Sequence, residues 1–179
     1  VRFTVGGDRV FYDGDVSTKT ADLTTVKTLL NSVISTPKAR FVTADLKDFY
    51  LETPMEKKDY AYMRIRVSVI PESIMLEYDL AKLAHNGFVY VEIRKGMYGL
   101  PQAGRLANNR LTKLLAPHGY APVPITPGLW KHSTRPLAFT LVVDDFLVQY
   151  ADTPHARHHF ASLRSPYTLP EHSPPEPTL

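Results

Sequence analysis

Apolar residues recur at helical spacing in four stretches of the chain. TADLTTVKTLLNSVIST has them three and four positions apart, with Thr20 as a plausible N-cap and Pro37 as the stop. The same spacing predicts a helix in QAGRLANNRLTKLLAPHGY, broken at Pro117 and Gly119, and a short helix in TPHARHHFASLR. IPESIMLEYDLAKLA predicts one or two short helices, because Pro71 suits a first helical position.

Strands are predicted where apolar and polar residues alternate or where short apolar runs occur. VRFTVGGDRVFY predicts a hairpin of two short strands around Gly6 and Gly7, and HNGFVYVEIRKG predicts a hairpin strand after a turn at Asn86. ARFVTADL is an apolar strand that ends in an acid, and LAFTLVVDDFLVQY predicts two apolar strands around Asp144 and Asp145. This mixture of hairpins and helices predicts an α+β fold with an antiparallel sheet.

The final stretch, SPYTLPEHSPPEPTL, loses this periodicity. It holds five of the chain's 15 prolines, and such a composition is typical of segments that cannot bury a core. We therefore predict one domain over residues 1–165 and a disordered Pro-rich tail over residues 166–179.

Composition narrows the function classes. The chain has 179 residues, enough for one domain, and 44% of them are hydrophobic. The net charge of +3 is compatible with a polyanionic partner. The absence of cysteine excludes disulfides, thiolate metal sites and cysteine nucleophiles. No apolar run approaches the roughly 18–20 residues of a membrane span, so no membrane partner is expected.

Three aspartates are the main candidates for chemistry. Asp144 and Asp145 lie between apolar flanks, although a turn alone could account for them. Asp45 ends an earlier apolar strand, and Asp48 follows three residues later. If that strand and the hairpin are sheet neighbours, three carboxylates converge at one edge. Such oxygen ligands suit Mg²⁺ or Mn²⁺, and two ions about 4 Å apart could clamp a phosphoryl displacement.

The segment RKGMYGLPQAGRLANN is the third candidate motif. Gly96, Gly99 and Gly104 would permit close backbone approach, and Pro101 and Gln102 lead into the predicted helix. Taken alone, the segment is better explained as an ordinary turn before a helix.

Together, the three motifs resemble the palm motifs of a reverse transcriptase. VVDDF resembles the paired-aspartate hairpin, FVTADLKDFY the first aspartate motif, and KGMYGLPQAG the motif that supports the nascent base pair. DFYLETPM, YVEIRKGMYGLPQAG and LVVDDFLV are most similar to copia-type LTR retrotransposon polymerases, and the similarity covers about residues 1–165. It implies a polymerase palm with partial fingers and without a thumb.

The resemblance also implies roles for individual residues. Asp45, Asp144 and Asp145 would hold two Mg²⁺ or Mn²⁺ ions, and the backbone carbonyl of Leu46 would complete a metal shell. Tyr50 would be the steric gate against a ribose 2′-hydroxyl. The remaining implied nucleotide contacts are Asp48, Gln102 and Arg2, with Leu100, Pro101 and Gly104 shaping the loop.

The activity implied is RNA-directed DNA polymerisation, in which deoxynucleotides are added to a primer 3′ end. The implied partners are an RNA or DNA template-primer, deoxynucleoside triphosphates, and the integrase and RNase H of a Pol polyprotein. The implied location is a cytoplasmic virus-like particle. Basic residues that could follow the phosphates, or simply form a solvated surface, are Lys38, Arg40, Arg64, Arg66, Arg94, Lys95, Arg105, Arg110 and Lys113.

Two alternatives remain open at this stage. The chain could be a catalytically inactive retrotransposon remnant that at most binds nucleic acid. His155 and His159, four positions apart in a predicted helix, could instead ligate zinc, although no third ligand is evident nearby.

Overall fold

The computed structural model of the protein describes residues 4–164 and 167–169. The α-helices within this part of the chain are α1 (Leu23–Ser35), α2 (Glu72–Glu77), α3 (Ala103–Leu115) and α4 (Thr153–Arg164). The strands are β1 (Arg40–Asp45), β2 (Ala61–Arg66), β3 (Phe88–Ile93), β4 (Tyr120–Pro122), β5 (Leu129–His132), β6 (Leu137–Val142) and β7 (Asp145–Tyr150).

The strands form two antiparallel sheets. The larger sheet has the order β1-β7-β6-β5-β4, and β2 and β3 form a separate pair. The β6–β7 hairpin occupies the middle of the large sheet, and β1, which is far away in sequence, pairs with β7. This arrangement confirms the predicted α+β class and its antiparallel sheet.

One face of the large sheet carries the main hydrophobic core. Phe139 of β6 and Phe146 and Val148 of β7 are buried in one cluster with Leu111 of α3 and Phe160 of α4. Each such side chain stabilises the fold by about 1.5–3 kcal/mol relative to its exposure.

The opposite face is covered by α1. Its buried Leu29 lies on this side, and the hydroxyl of Ser32 donates to Oε1 of Gln149 at 2.8 Å. Gln149 alternates with Val148 along β7, so the two side chains point to opposite faces. The sheet is therefore held between α1 on one side and α3 with α4 on the other.

The start of α1 differs from the prediction. The N-cap is Asp22, whose carboxylate accepts from the backbone N–H of Thr25 at 2.7 Å, and not Thr20. The hydroxyl of Thr20 is used elsewhere, because it donates to the carbonyl of Leu141 and accepts from the N–H of Val143, both at 3.2 Å. Thr20 thus ties the segment before α1 to the β6–β7 turn.

The predicted N-terminal hairpin is wrong for the residues that are described. Among residues 4–22 there is no strand, and Gly7–Arg9 form a single 3-10 turn. The backbone of this segment pairs with a distant loop instead, since the N–H of Val5 donates to the carbonyl of Tyr98 at 2.8 Å. The segment satisfies its backbone through tertiary contact, which local alternation cannot reveal.

The prediction of a hairpin turn at Asn86 is confirmed. His85 and Phe88 exchange two backbone hydrogen bonds across Asn86 and Gly87, both of which have positive φ. Two central residues with positive φ are typical of a tight hairpin turn. The strand that follows, β3, pairs with β2, which was not predicted from the sequence although AYMRIR alternates.

Part of the predicted tail packs against the domain. Tyr167 is only 4% exposed, its ring centroid lies 5.6 Å from that of Phe49, and Thr168 forms a β-bridge with Lys47. Residues 167–169 therefore contact the rest of the described chain, and the other residues of the predicted tail lie outside the described residues. No helix within the described ranges has both the length and the apolar character needed to cross a membrane.

Candidate active site

Asp144 lies in the tight β6–β7 turn. Val142 pairs with Asp145, so Val143 and Asp144 alone make the connection. Val143 has a φ of 60°, which is uncommon for a β-branched residue, and its N–H is held by the Thr20 hydroxyl. Strained residues of this kind persist where the surrounding structure over-determines them, often at functional sites.

The pairing of β1 with β7 brings two carboxylates into direct opposition. Asp45 and Asp145 are register partners at the end of the two strands. Side chains of directly opposed residues share a face, with Cβ atoms about 4.5–5.5 Å apart, and like charges at that spacing repel. Both residues are exposed, so solvent or a cation can reach them.

Asp144 is held from two sides. The phenolic hydroxyl of Tyr98 donates to its Oδ2 at 2.9 Å, and the backbone N–H of Leu46 donates to its carbonyl at 3.0 Å. The second bond joins the end of β1 to the turn, because Leu46 follows Asp45 directly. Sequence reasoning missed Tyr98, although it lies in the middle of KGMYGLPQAG.

Tyr50 packs against Tyr98, the residue that donates to Asp144. Its ring centroid lies 4.7 Å from that of Tyr98 in an edge-on arrangement. Burial raises the pKa of the Tyr50 phenol, and the negative charge of Asp144 raises it further. A neutral phenol therefore lies near the Asp144 carboxylate. Gly96 backs this residue, since a Cβ there would lie 2.6 Å from the Tyr50 carbonyl oxygen.

These carboxylates suit a hard divalent cation in their chemistry. Across the described part of the chain, no three His, Asp or Glu side chains meet closely enough to hold a metal ion by themselves. Mg²⁺ is usually bound by one or two carboxylates together with substrate phosphates and water. The paired Asp45 and Asp145, with Asp144 next in sequence, offer the oxygen donors that such shared coordination uses.

The other predicted nucleotide contacts do not all join this group. Gln102 is 1% exposed and its Nε2 donates to the carbonyl of Asp59 at 2.8 Å. It lines a cleft of about 920 Å³ between the N-terminal segment and β2, which contains none of the three aspartates. Asp48 is exposed and has a φ of 57°. Arg2 lies outside the described residues.

The glycines of the third motif do permit close approach, as predicted. Gly99 has a φ of +90°, and a Cβ there would lie 1.9 Å from the carbonyl oxygen of Val5. A Cβ on Gly104 would lie 2.4 Å from Oγ1 of Thr18. The motif is thus a packed junction between the N-terminal segment and α3 and not an ordinary exposed turn.

The two candidate zinc ligands have different surroundings. His155 is already engaged, with Nε2 3.4 Å from Oδ1 of Asp152 and Nδ1 3.2 Å from a guanidinium nitrogen of Arg135. His159 is fully buried, and neither of its ring nitrogens has a hydrogen-bond partner among the described residues. Burial lowers its pKa to about 3.

Comparison with known proteins gives only distant likenesses, and these are to solved structures. No protein-family model and no curated protein sequence matches the chain. The fold is similar to the structure of telomerase from Candida albicans in complex with a TWJ fragment of telomeric RNA, with a TM-score of 0.47 and 13% sequence identity. The match covers 86% of this chain and 30% of that chain. A likeness at this level does not transfer an activity.

Proposed function

We propose that the chain is the palm, with part of the fingers, of an RNA-directed DNA polymerase from a retrotransposon Pol polyprotein. The observation that carries the proposal is the register of β1 against β7. It places Asp45 opposite Asp145, beside the Asp144 turn, at the end of an otherwise apolar part of the sheet.

In the proposed reaction the primer 3′-hydroxyl attacks the α-phosphorus of a deoxynucleoside triphosphate and pyrophosphate leaves. Two bound Mg²⁺ or Mn²⁺ ions would supply activation of the hydroxyl and charge neutralisation at the leaving group. Asp45, Asp144 and Asp145 would hold them, together with the carbonyl of Leu46. Tyr98 orients the Asp144 carboxylate through its hydrogen bond.

Discrimination between sugars is assigned to Tyr50. Its ring packs edge-on against the ring of Tyr98, and the Gly96 backbone lies against the Tyr50 backbone, so both the ring and its main chain are held in place. A rigid ring beside the carboxylates would collide with a ribose 2′-hydroxyl.

Gln102 and Asp48 remain candidate nucleotide contacts by resemblance alone. The template-primer, the integrase and RNase H of the same polyprotein, and a cytoplasmic virus-like particle belong to the same proposal.

The competing proposal is a catalytically inactive remnant that only binds nucleic acid. Exposed basic side chains favour binding in either case, so binding alone does not separate the two proposals. The distinction depends on the carboxylates, because only polymerisation needs their charge.

The test is extension of a labelled DNA primer on an RNA template with Mg²⁺ or Mn²⁺ and all four deoxynucleotides. The wild-type chain should extend the primer, and the double variant Asp144→Asn, Asp145→Asn should not. Asp79→Asn is the matched control, because Asp79 is an exposed aspartate in a left-handed conformation that asparagine tolerates. Failure of the folded wild-type chain to extend any primer would favour the remnant.

A further inference from the structure

The β2–β3 pair presents a surface that contains none of the three aspartates of the proposed active site. Alternation along the two strands places one set of side chains on the same side of the pair. We call this set the Arg–Tyr face, and its members are Tyr62, Arg64, Arg66, Phe88, Tyr90 and Glu92. In register, Tyr62 is opposite Glu92, Arg64 opposite Tyr90, and Arg66 opposite Phe88.

Aromatic rings on this face are open to solvent. Tyr62 is 68% exposed and Tyr90 is 63% exposed, whereas Val89, on the other side of the pair, is buried. Tyr62 and Tyr90 are diagonal neighbours across the two strands, which places them about 7–8 Å apart. Two rings at that spacing, both uncovered, form a platform with apolar faces and polar tips.

The charge on this face is positive. The Arg64 guanidinium carbon lies 4.4 Å from the centroid of the Phe88 ring, and that of Arg66 lies 5.8 Å from it. Within the described residues, neither arginine has an ion pair. The guanidiniums are therefore held in place by the ring while their charge remains available.

The single acid of the Arg–Tyr face is already neutralised. Oε2 of Glu92 lies 2.8 Å from a guanidinium nitrogen of Arg94, and the Tyr62 hydroxyl donates to its Oε1 at 3.3 Å. Glu92 therefore does not cancel the charge of Arg64 and Arg66. An anionic partner with flat rings fits this combination of charge and exposed aromatics.

We propose that the Arg–Tyr face binds single-stranded nucleic acid, with phosphates at Arg64 and Arg66 and bases stacked on Tyr62 and Tyr90. Aromatic platforms flanked by arginine bind single strands with little sequence preference, because every base has a flat face. A duplex offers the phosphates but keeps its bases stacked internally. The face contains none of the proposed catalytic residues, so this function does not depend on polymerase activity.

The test is fluorescence anisotropy with a labelled, unstructured homopyrimidine oligonucleotide, in RNA and in DNA form, across a range of salt concentrations. Arg64→Gln and Arg66→Gln should each reduce the slope of log affinity against log salt by about 0.7. Tyr62→Ala and Tyr90→Ala should each weaken binding about 5- to 150-fold, which corresponds to about 1–3 kcal/mol per stacked base. The RNA and DNA arms distinguish a strand-indifferent platform from one that reads the 2′-hydroxyl.

The matched control variants remove an arginine and a tyrosine that lie outside the Arg–Tyr face. Arg157→Gln removes an exposed arginine from α4, and Tyr78→Ala removes a tyrosine that is 60% exposed at the end of α2. Both should leave affinity and salt slope unchanged. The proposal is overturned if the wild-type chain does not bind single strands, if a duplex of the same sequence binds equally well, or if the four face variants bind like the controls. Circular dichroism melts confirm that each variant is folded.

Discussion

His159 should make the stability of this fold depend on pH. Its imidazole is fully buried among Tyr120, Phe139, Phe146 and Phe160, with ring centroids 4.7–5.9 Å away. Neither ring nitrogen has a hydrogen-bond partner among the described residues. Such a ring must stay neutral in the folded state, because an imidazolium there would have no compensating interaction.

The size of the effect follows from the pKa of His159 in the two states. Burial lowers this pKa to about 3 in the folded protein from the ordinary histidine value of 6.5. Because the unfolded chain binds the proton more readily, stability is full above pH of about 6.5 and falls as the pH drops towards 3. At a pH of about 5 the loss is about 2 kcal/mol, since each pH unit below 6.5 costs about 1.4 kcal/mol.

The perturbation is His159→Leu, which keeps the side chain apolar and close in size. At neutral pH the variant should be more stable by about 1–3 kcal/mol, because two unpartnered buried nitrogens are removed. At a pH of about 5 its advantage over the wild type should grow by about 2 kcal/mol. Urea unfolding followed by circular dichroism, from a pH of about 5 to about 7.5, measures both quantities.

The informative quantity is the difference in the free energy of unfolding between the variant and the wild type at each pH. His132 and His158 lie nearby, and burial lowers the pKa of each, so they also contribute to the pH dependence of both proteins. His85→Leu, which replaces an exposed histidine, is the control and should show no such growth. A His159→Leu advantage that is the same at every pH would refute the reasoning.

Two further predictions concern the candidate active site and its support. Tyr98→Phe should keep the fold but lower the primer-extension rate about tenfold, because the charged Asp144 carboxylate loses a hydrogen bond. An unchanged rate in single-turnover extension would show that Tyr98 does not contribute to the site. Gly99→Ala should destabilise the protein by about 1–3 kcal/mol beyond the cost of left-handed backbone, because its Cβ would meet the Val5 carbonyl at 1.9 Å. Gly87 also has positive φ, but a Cβ there would meet nothing within 4 Å, so Gly87→Ala should lower the free energy of unfolding by only about 1–2 kcal/mol, as measured by urea unfolding. Equal losses of stability in Gly99→Ala and Gly87→Ala would contradict the predicted clash.

Local periodicity was sufficient for the helices and for the central hairpin. α3 and α4 form where apolar residues recur at helical spacing, and the β6–β7 hairpin forms around Asp144 as predicted. These elements carry their main signal within a short stretch of chain, because one apolar stripe or run settles which face is buried. The α+β class followed from their mixture.

The sequence predicted the candidate site only on the condition that two distant strands are neighbours in the sheet. Asp45 could lie opposite Asp145 only if β1 and β7 were neighbours in the sheet. Neither segment contains a signal that identifies the other as its partner, because the two aspartates are 100 positions apart in sequence. The tertiary structure decides this through the shared core, since Ala44 and Phe146 are both buried beside the pair. The contact of Tyr98 with Asp144 likewise depends on packing between distant segments.

What the sequence determined by itself was the set of elements and the presence of three aspartates at strand ends. What the tertiary structure decided was which backbone groups pair across long separations. It decided that the segment around Val5 follows the Gly99 loop, that His159 is buried, and that Asp45 opposes Asp145. The physical reason is that local propensity reports on neighbouring residues, whereas burial and register are set by the whole chain folding around one core.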